Sequence, residues 1–168
     1  MSADKQNPDS SDITVMVVDD SSTVRQSAGG FLTDMGWNVV TAEDGFDALA
    51  KVVESRPALV FIDIMMPRLD GYQTCALIKN NPDYSDIAVV LLSSKDGLFD
   101  RARGKVVGAN EHLAKPFTRD ELKTAVAVQL QHQFDRTESL APPLFDDPDA
   151  TSVLPLDELA VDMDSENL

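Results

Sequence analysis

The 168-residue chain has 43% apolar residues, one cysteine and a net charge of −15, a size that suits one domain with a full core and is short for two. Its apolar runs reach five or six residues, too short to cross a bilayer, and the polar start MSADKQNPDSSD lacks the apolar stretch of a secretory signal. The lone Cys75 excludes an internal disulfide framework and fits a reducing compartment, so a cytoplasmic location is expected.

The charge is uneven. Residues 1–12 hold three acids and one base, residues 13–136 hold 17 and 13, and residues 137–168 hold nine and none. Nothing in this distribution makes the basic stripe that nucleic-acid binding needs, so no nucleic-acid partner is expected. Three regions follow: a flexible N-terminal arm over 1–12, a folded body over 13–136, and an acidic tail over 137–168. Prolines interrupt the tail, and its composition predicts disorder. Its scattered Leu154, Leu156, Leu159, Val161 and Met163 would allow it to dock on a protein partner, although most such tails only solvate.

Within the body, Ile13 to Val18 reads as a buried strand ending in Asp19-Asp20, and Ser21-Ser22 are candidate caps for the next helix. Val24, Ala28, Phe31, Leu32 and Met35 share one helical face, although Gly29-Gly30 each cost about 1 kcal/mol against Ala. A second strand is predicted over Trp37 to Thr41. Asp44 caps a second helix with the stripe Phe46, Leu49, Ala50 and Val53. Ala58 to Ile62 is a continuous apolar run, the pattern of a strand covered on both faces, and Asp63 follows at its end. Gly71 to Asn80 reads as a third helix with Cys75, Ala76 and Ile78 inward, and Ile87 to Leu92 as a fourth strand closing in Ser93-Ser94. A fourth helix headed by Asp96 carries Leu98, Ala102 and Val106. A weaker strand over Glu111 to Ala114 then leads into Lys115-Pro116. Thr118 and Glu121 form a capping box before a helix with Leu122, Ala125, Val126 and Leu130 inward.

Strict strand–helix alternation implies a parallel sheet with helices on both faces and right-handed crossovers. Ligands of such sheets bind at the carboxyl ends of the strands. Asp19, Asp20, Asp63, Ser93 and Lys115 all stand there. Singly, each has an ordinary reading as turn, cap or surface charge. Together they make a specific chemistry. Close carboxylates repel unless a hard cation sits between them, and Mg²⁺ takes such oxygen ligands together with phosphate. Lysine supplies a compact positive charge and serine a donor for phosphoryl oxygens. Such a set suits phosphoryl transfer to a carboxylate. No Walker-type loop and no zinc set can be assembled.

VMVVDDSSTVR, FIDIMMPRLDGYQ, VVLLSSKDG and LAKPF resemble, in order and spacing, the signatures of the receiver domains of two-component response regulators. The resemblance spans residues 13 to about 134. It implies a flavodoxin-like doubly wound five-stranded sheet of order 2-1-3-4-5. It also implies Asp63 as phosphoacceptor and Mg²⁺ held by Asp19, Asp20, Asp63 and the main-chain carbonyl of Met65. Ser93, 30 residues past Asp63, matches the Ser/Thr switch position, and Lys115, 52 past it, matches the family lysine. Pro116 would follow a cis peptide bond. At the aromatic switch position stands His112 in place of Tyr or Phe, a pH-sensitive substitute whose alternative reading is a partly exposed strand-end histidine.

A longer stretch, DIMMPRLDGYQTCALIKNNPDYSD with SSKDGLFDRARGKVVGANEHLAKPF, is similar to the single-domain regulators of type IV pilus twitching motility and related chemosensory systems. That similarity implies phosphorylation by a CheA-type histidine kinase. It also implies output through protein contact on the face of the fourth helix, fifth strand and fifth helix, since no DNA-binding helix-turn-helix is read after residue 136. The chain would then be a phosphoacceptor that assists its own phosphorylation and dephosphorylation, and not an enzyme in the usual sense. Two alternatives stand beside this switch: a phosphate sink or shuttle, and a scaffold acting through the tail regardless of phosphorylation. A haloacid-dehalogenase-like hydrolase fits less well, because Asp19-Asp20-Ser21-Ser22 lacks its Asp-x-Asp pattern.

Overall fold

Every other residue of the central strands is apolar on each face, so both faces of the sheet must be covered. The computed structural model describes residues 12–94 and 101–140. Its elements alternate as the sequence predicts: β1 (Thr14–Val18), α1 (Ser22–Asp34), β2 (Asn38–Ala42), α2 (Gly45–Ser55), β3 (Leu59–Asp63), α3 (Gly71–Lys79), β4 (Ala88–Ser94), α4 (Arg101–Val106), β5 (Glu111–Lys115) and α5 (Arg119–Leu140). All neighbouring strands pair in parallel, in the order β2-β1-β3-β4-β5. This is the flavodoxin-like doubly wound sheet.

The period-2 alternation sorts the core into two layers. Met16, Val18, Val60, Ile62, Val89 and Leu91 pack with α2 and α3 on one face. Val15, Val17, Leu59, Phe61, Val90 and Leu92 pack with α1 and α5 on the other. Side-chain caps fix where the helices begin. Ser21 accepts from the Val24 N–H, Asp44 from the Asp47 N–H, and Asp70 forms a capping box with Gln73. Thr118 and Glu121 exchange the reciprocal bonds of the expected box before α5.

Two helices are rotated from the expected stripes. In α2 the inward residues are Gly45, Ala48 and Val52, with Leu49 partly buried, while Phe46 and Val53 are 56% and 58% exposed. The small face wins because α2 packs closely: a Cβ at Gly45 would stand 2.9 Å from Leu69 Cδ2. In α4, Gly104 is buried and Val107 and Ala109 pack just beyond it, while Ala102 is exposed and Val106 is 84% exposed. The expected head of that helix at Asp96 and Leu98 lies outside the described residues. Strand β2 begins one residue later than expected, because the Trp37 N–H donates to the Leu32 carbonyl and closes α1. By its contacts the chain divides into two units, Met1–Gln133 and Phe134–Leu168. The second is described only as the final residues of α5, and both the arm to residue 11 and the tail from residue 141 lie outside the described residues.

Candidate functional site

Parallel strands all end on one rim, and that rim collects the polar residues. Asp19 follows β1 directly: its N–H donates to the Ala42 carbonyl at 3.2 Å, and its Oδ1 accepts the Ser21 N–H at 2.9 Å. Asp63 is the last residue of β3, and the next N–H, of Ile64, donates to Leu92 O at 2.9 Å, which continues the ladder past it. From the end of β5, Lys115 Nζ donates to Asp19 Oδ2 and to Asp63 Oδ1, each at 3.1 Å. Asp19 is fully buried, Asp63 is 3% exposed, and Asp20 faces solvent. Carboxylate oxygens of all three lie within 4.8 Å of one another.

Such crowding has an electrostatic signature. Burial first, and the charge of Asp19 second, push the Asp63 carboxyl up to about 6, against the opposing pull of Lys115 and the Met65 N–H. Burial works against the Lys115 ammonium, but hydrogen bonds and charges from Asp19 and Asp63 outweigh it and hold the group above its ordinary value. Three carboxylates against one ammonium leave surplus negative charge at a rim where Asp19 and Asp63 are buried and Asp20 meets solvent. The donor set is all oxygen, which suits a hard divalent cation better than a thiophilic one.

The other expected residues fall around this centre. Met65 sits two residues past Asp63, with its N–H 3.3 Å from Asp63 Oδ1. Ser93 is buried on β4, one residue beyond Leu92, the register partner of Asp63. The Lys115–Pro116 peptide is cis. His112 lies on β5 opposite Leu91, half-buried beside a groove between β5 and α5. Burial and the nearby Arg101 lower its pKa, while Glu111 works the other way.

Three contributions escaped the sequence. Arg25 of α1 donates from Nη1 to the Asp19 carbonyl at 2.7 Å. Arg68, at φ 67°, reaches Asp44 Oδ2 at 2.9 Å and ties the β3–α3 loop to the cap of α2. Gly71 passes so close to the end of β3 that a Cβ there would stand 2.5 Å from the Asp63 carbonyl oxygen. A lone arginine in a helix reads as solvated, and a glycine at a helix start reads as punctuation. Neither pattern names a tertiary target.

Comparison with known proteins agrees with this geometry. A family model described as response regulator receiver domain matches residues 15–127. Protein PilG of Pseudomonas aeruginosa is 56% identical over 114 residues, covering 68% of this chain and 84% of PilG. Response regulator MprA of Mycobacterium tuberculosis is 34% identical over 131 residues, 77% of this chain but only 56% of that longer protein. Among solved structures, the chemotaxis response regulator CheY4 of Vibrio cholerae superposes with a TM-score of 0.65 at 31% identity, covering 70% of this chain and 98% of CheY4. The strand order, the acidic rim and these matches point one way, and the chain belongs to the response regulator receiver domain family.

Proposed function

We propose that the chain is a phosphorylation switch in which Asp63 accepts a phosphoryl group from a CheA-type histidine kinase with Mg²⁺ at the rim. The observation that carries this reading is the bridge from Lys115 Nζ to both Asp19 and Asp63 at the point where three carboxylates converge. Asp19, Asp20 and Asp63, with the Met65 carbonyl, would hold the cation. A bound Mg²⁺ would offset charge on the phosphoryl oxygens as they approach the carboxylates. Among the described residues Asp63 Oδ1 accepts from Lys115 Nζ and the Met65 N–H, which favours Oδ2 as the oxygen that attacks. In the transfer an O–P bond to Asp63 forms as the N–P bond to the kinase histidine breaks. Lys115 and Ser93 would then contact phosphoryl oxygens, with Ser93 drawn toward the new group.

That movement would shift the α4–β5–α5 face between two packings, with His112 at the aromatic switch position. The face bears Arg101, Lys105 and the exposed Val106, which suits a protein contact as output. The strong likeness to PilG supports a place in type IV pilus twitching motility or chemotaxis, in the cytoplasm. No helix among the described residues is long and apolar enough to cross a membrane. The chain is thus read as a phosphoacceptor that assists its own phosphorylation and dephosphorylation.

Amide NMR spectra of wild type and Asp63→Asn, recorded with Mg²⁺ and then with a beryllofluoride phosphoryl mimic, test the reading. Shifts should spread from Asp63 through Ser93 to His112 and α4 in wild type alone. Shifts confined to the pocket would leave a phosphate sink. Partner capture that persists in Asp63→Asn would leave a scaffold.

A further inference from the structure

Convergence of three carboxylates needs each one to be aimed. Asp19 is aimed by its contacts: Oδ1 takes the Ser21 N–H and Oδ2 takes Lys115. Asp20 faces solvent, so the backbone it hangs from sets where its carboxylate starts, and its side-chain rotamer sets the rest. That backbone begins with the peptide unit it shares with Asp19, and the carbonyl oxygen of this unit is the acceptor of the 2.7 Å bond from Arg25 Nη1. The preceding peptide unit is pinned as well, because the Asp19 N–H donates to Ala42 O on β2 at 3.2 Å. Arg25 is itself well anchored. It is half-buried in α1, with its N–H on the Ser21 carbonyl at 3.1 Å, and Ser21 caps the same helix. A rigid helix therefore holds, through one guanidinium, the peptide joining two of the three carboxylates.

We propose that Arg25 is a positioning residue for the cation site, fixing the Asp19–Asp20 peptide so that the Asp20 carboxylate converges with those of Asp19 and Asp63. The inference rests on reading the rim as a divalent-cation site and adds a residue that touches neither cation nor phosphoryl group. Its sign separates it from plain electrostatics. A guanidinium beside a cation site repels the cation, so charge alone predicts tighter Mg²⁺ binding once Arg25 is removed. Positioning predicts weaker binding. Removal of an outer partner that orients metal ligands costs roughly 10- to 100-fold in affinity. The bond here acts through a main-chain carbonyl, so the lower end is expected.

Calorimetric Mg²⁺ titration of the full chain at fixed ionic strength decides between them, using wild type, Arg25→Ala, Arg25→Lys and Arg119→Ala. Arg119, paired with Asp34 at 3.5 Å on the surface, controls for loss of one positive charge. Thermal melts in EDTA establish that each variant is folded. Arg25→Ala should bind Mg²⁺ about 10-fold more weakly, Arg25→Lys should recover most of the loss, and Arg119→Ala should match wild type. Binding by Arg25→Ala that equals or exceeds wild type overturns the proposal. Should Arg25→Ala not fold, Arg25→Gln decides, since its amide stops at the position of Arg Nε and so loses both the charge and the bond that Nη1 makes to the Asp19 carbonyl. Weaker Mg²⁺ binding than wild type then supports positioning, and binding that equals or exceeds wild type overturns it. Failure of wild type itself to bind Mg²⁺ ends the site reading and the role of Arg25 together, whereas normal wild-type binding with an unimpaired Arg25→Ala ends the role of Arg25 alone.

Discussion

At the scale of single residues, the rim is held together against its own charge. Asp63 titrates near 3.8 when free of the fold and at about 6 within it, because burial and Asp19 disfavour the charged form. The native state therefore binds this proton more tightly than the unfolded chain. The associated stability is fully present below pH about 4 and is lost as pH rises through about 6. Above that, the metal-free fold carries the carboxylate at a cost of about 1–3 kcal/mol. Asp63→Asn keeps the shape and removes the charge, so in EDTA it should raise the thermal midpoint by several degrees near pH 7.5 and far less near pH 5. A midpoint at or below wild type near pH 7.5 would contradict this account. Gly71 is constrained by space instead. A Cβ there would meet Asp63 O at 2.5 Å and Ile64 Cα at 2.7 Å, backbone atoms with no room to yield. Gly71→Ala should cost about 1–3 kcal/mol by chemical denaturation, the usual range for an overpacked site.

At the scale of elements, the two glycines of α1 behave differently from Gly71. At Gly30 no atom lies within 4 Å of where a Cβ would stand, and at Gly29 the nearest are Val39 Cγ1 and Thr41 Cγ2 at 3.7 and 3.9 Å, ordinary contacts. Space does not require either glycine. Gly30→Ala should stabilise the protein by about 0.5–1 kcal/mol, a rise of about 2–4 °C per kcal/mol at this chain length. An unchanged or lower melting point would show that α1 needs that backbone freedom. The strands were legible because burial on both faces leaves unbroken apolar runs, and the polar residues ending those runs marked the rim. Helix rotation was less so. Phe46, Ala50 and Val53 make as good a helical stripe as Gly45, Ala48 and Val52, and only close packing of α2 selects the small face. Arg25 was invisible for a related reason: its target is the main-chain carbonyl of Asp19, in the loop just ahead of α1, and no side-chain pattern encodes that.

At the scale of the whole molecule, the site exists only because the sheet is folded. Lys115 lies 96 residues from Asp19 and 52 from Asp63, and β4 intervenes between β3 and β5. In the unfolded chain these groups are scattered, so a cation that needs all of them binds the native state alone. Linkage then requires stabilisation by RT ln(1 + [Mg²⁺]/Kd), about 2.7 kcal/mol at 100 times Kd and about 1.4 kcal/mol for each further tenfold. A chain of net charge −15 will also gain stability from any salt, because screening relieves its self-repulsion. The two effects differ in which residues they need. Screening acts on the total charge and should help wild type, Asp20→Asn and Asp63→Asn to similar degrees in sodium chloride. Site binding acts at the rim, so the additional rise in melting temperature with Mg²⁺ at constant ionic strength should occur in wild type and be largely lost in both variants. If Asp20→Asn kept the full Mg²⁺ increment, the cation would be acting on the overall charge, and the convergence of the three carboxylates would have no role in binding it.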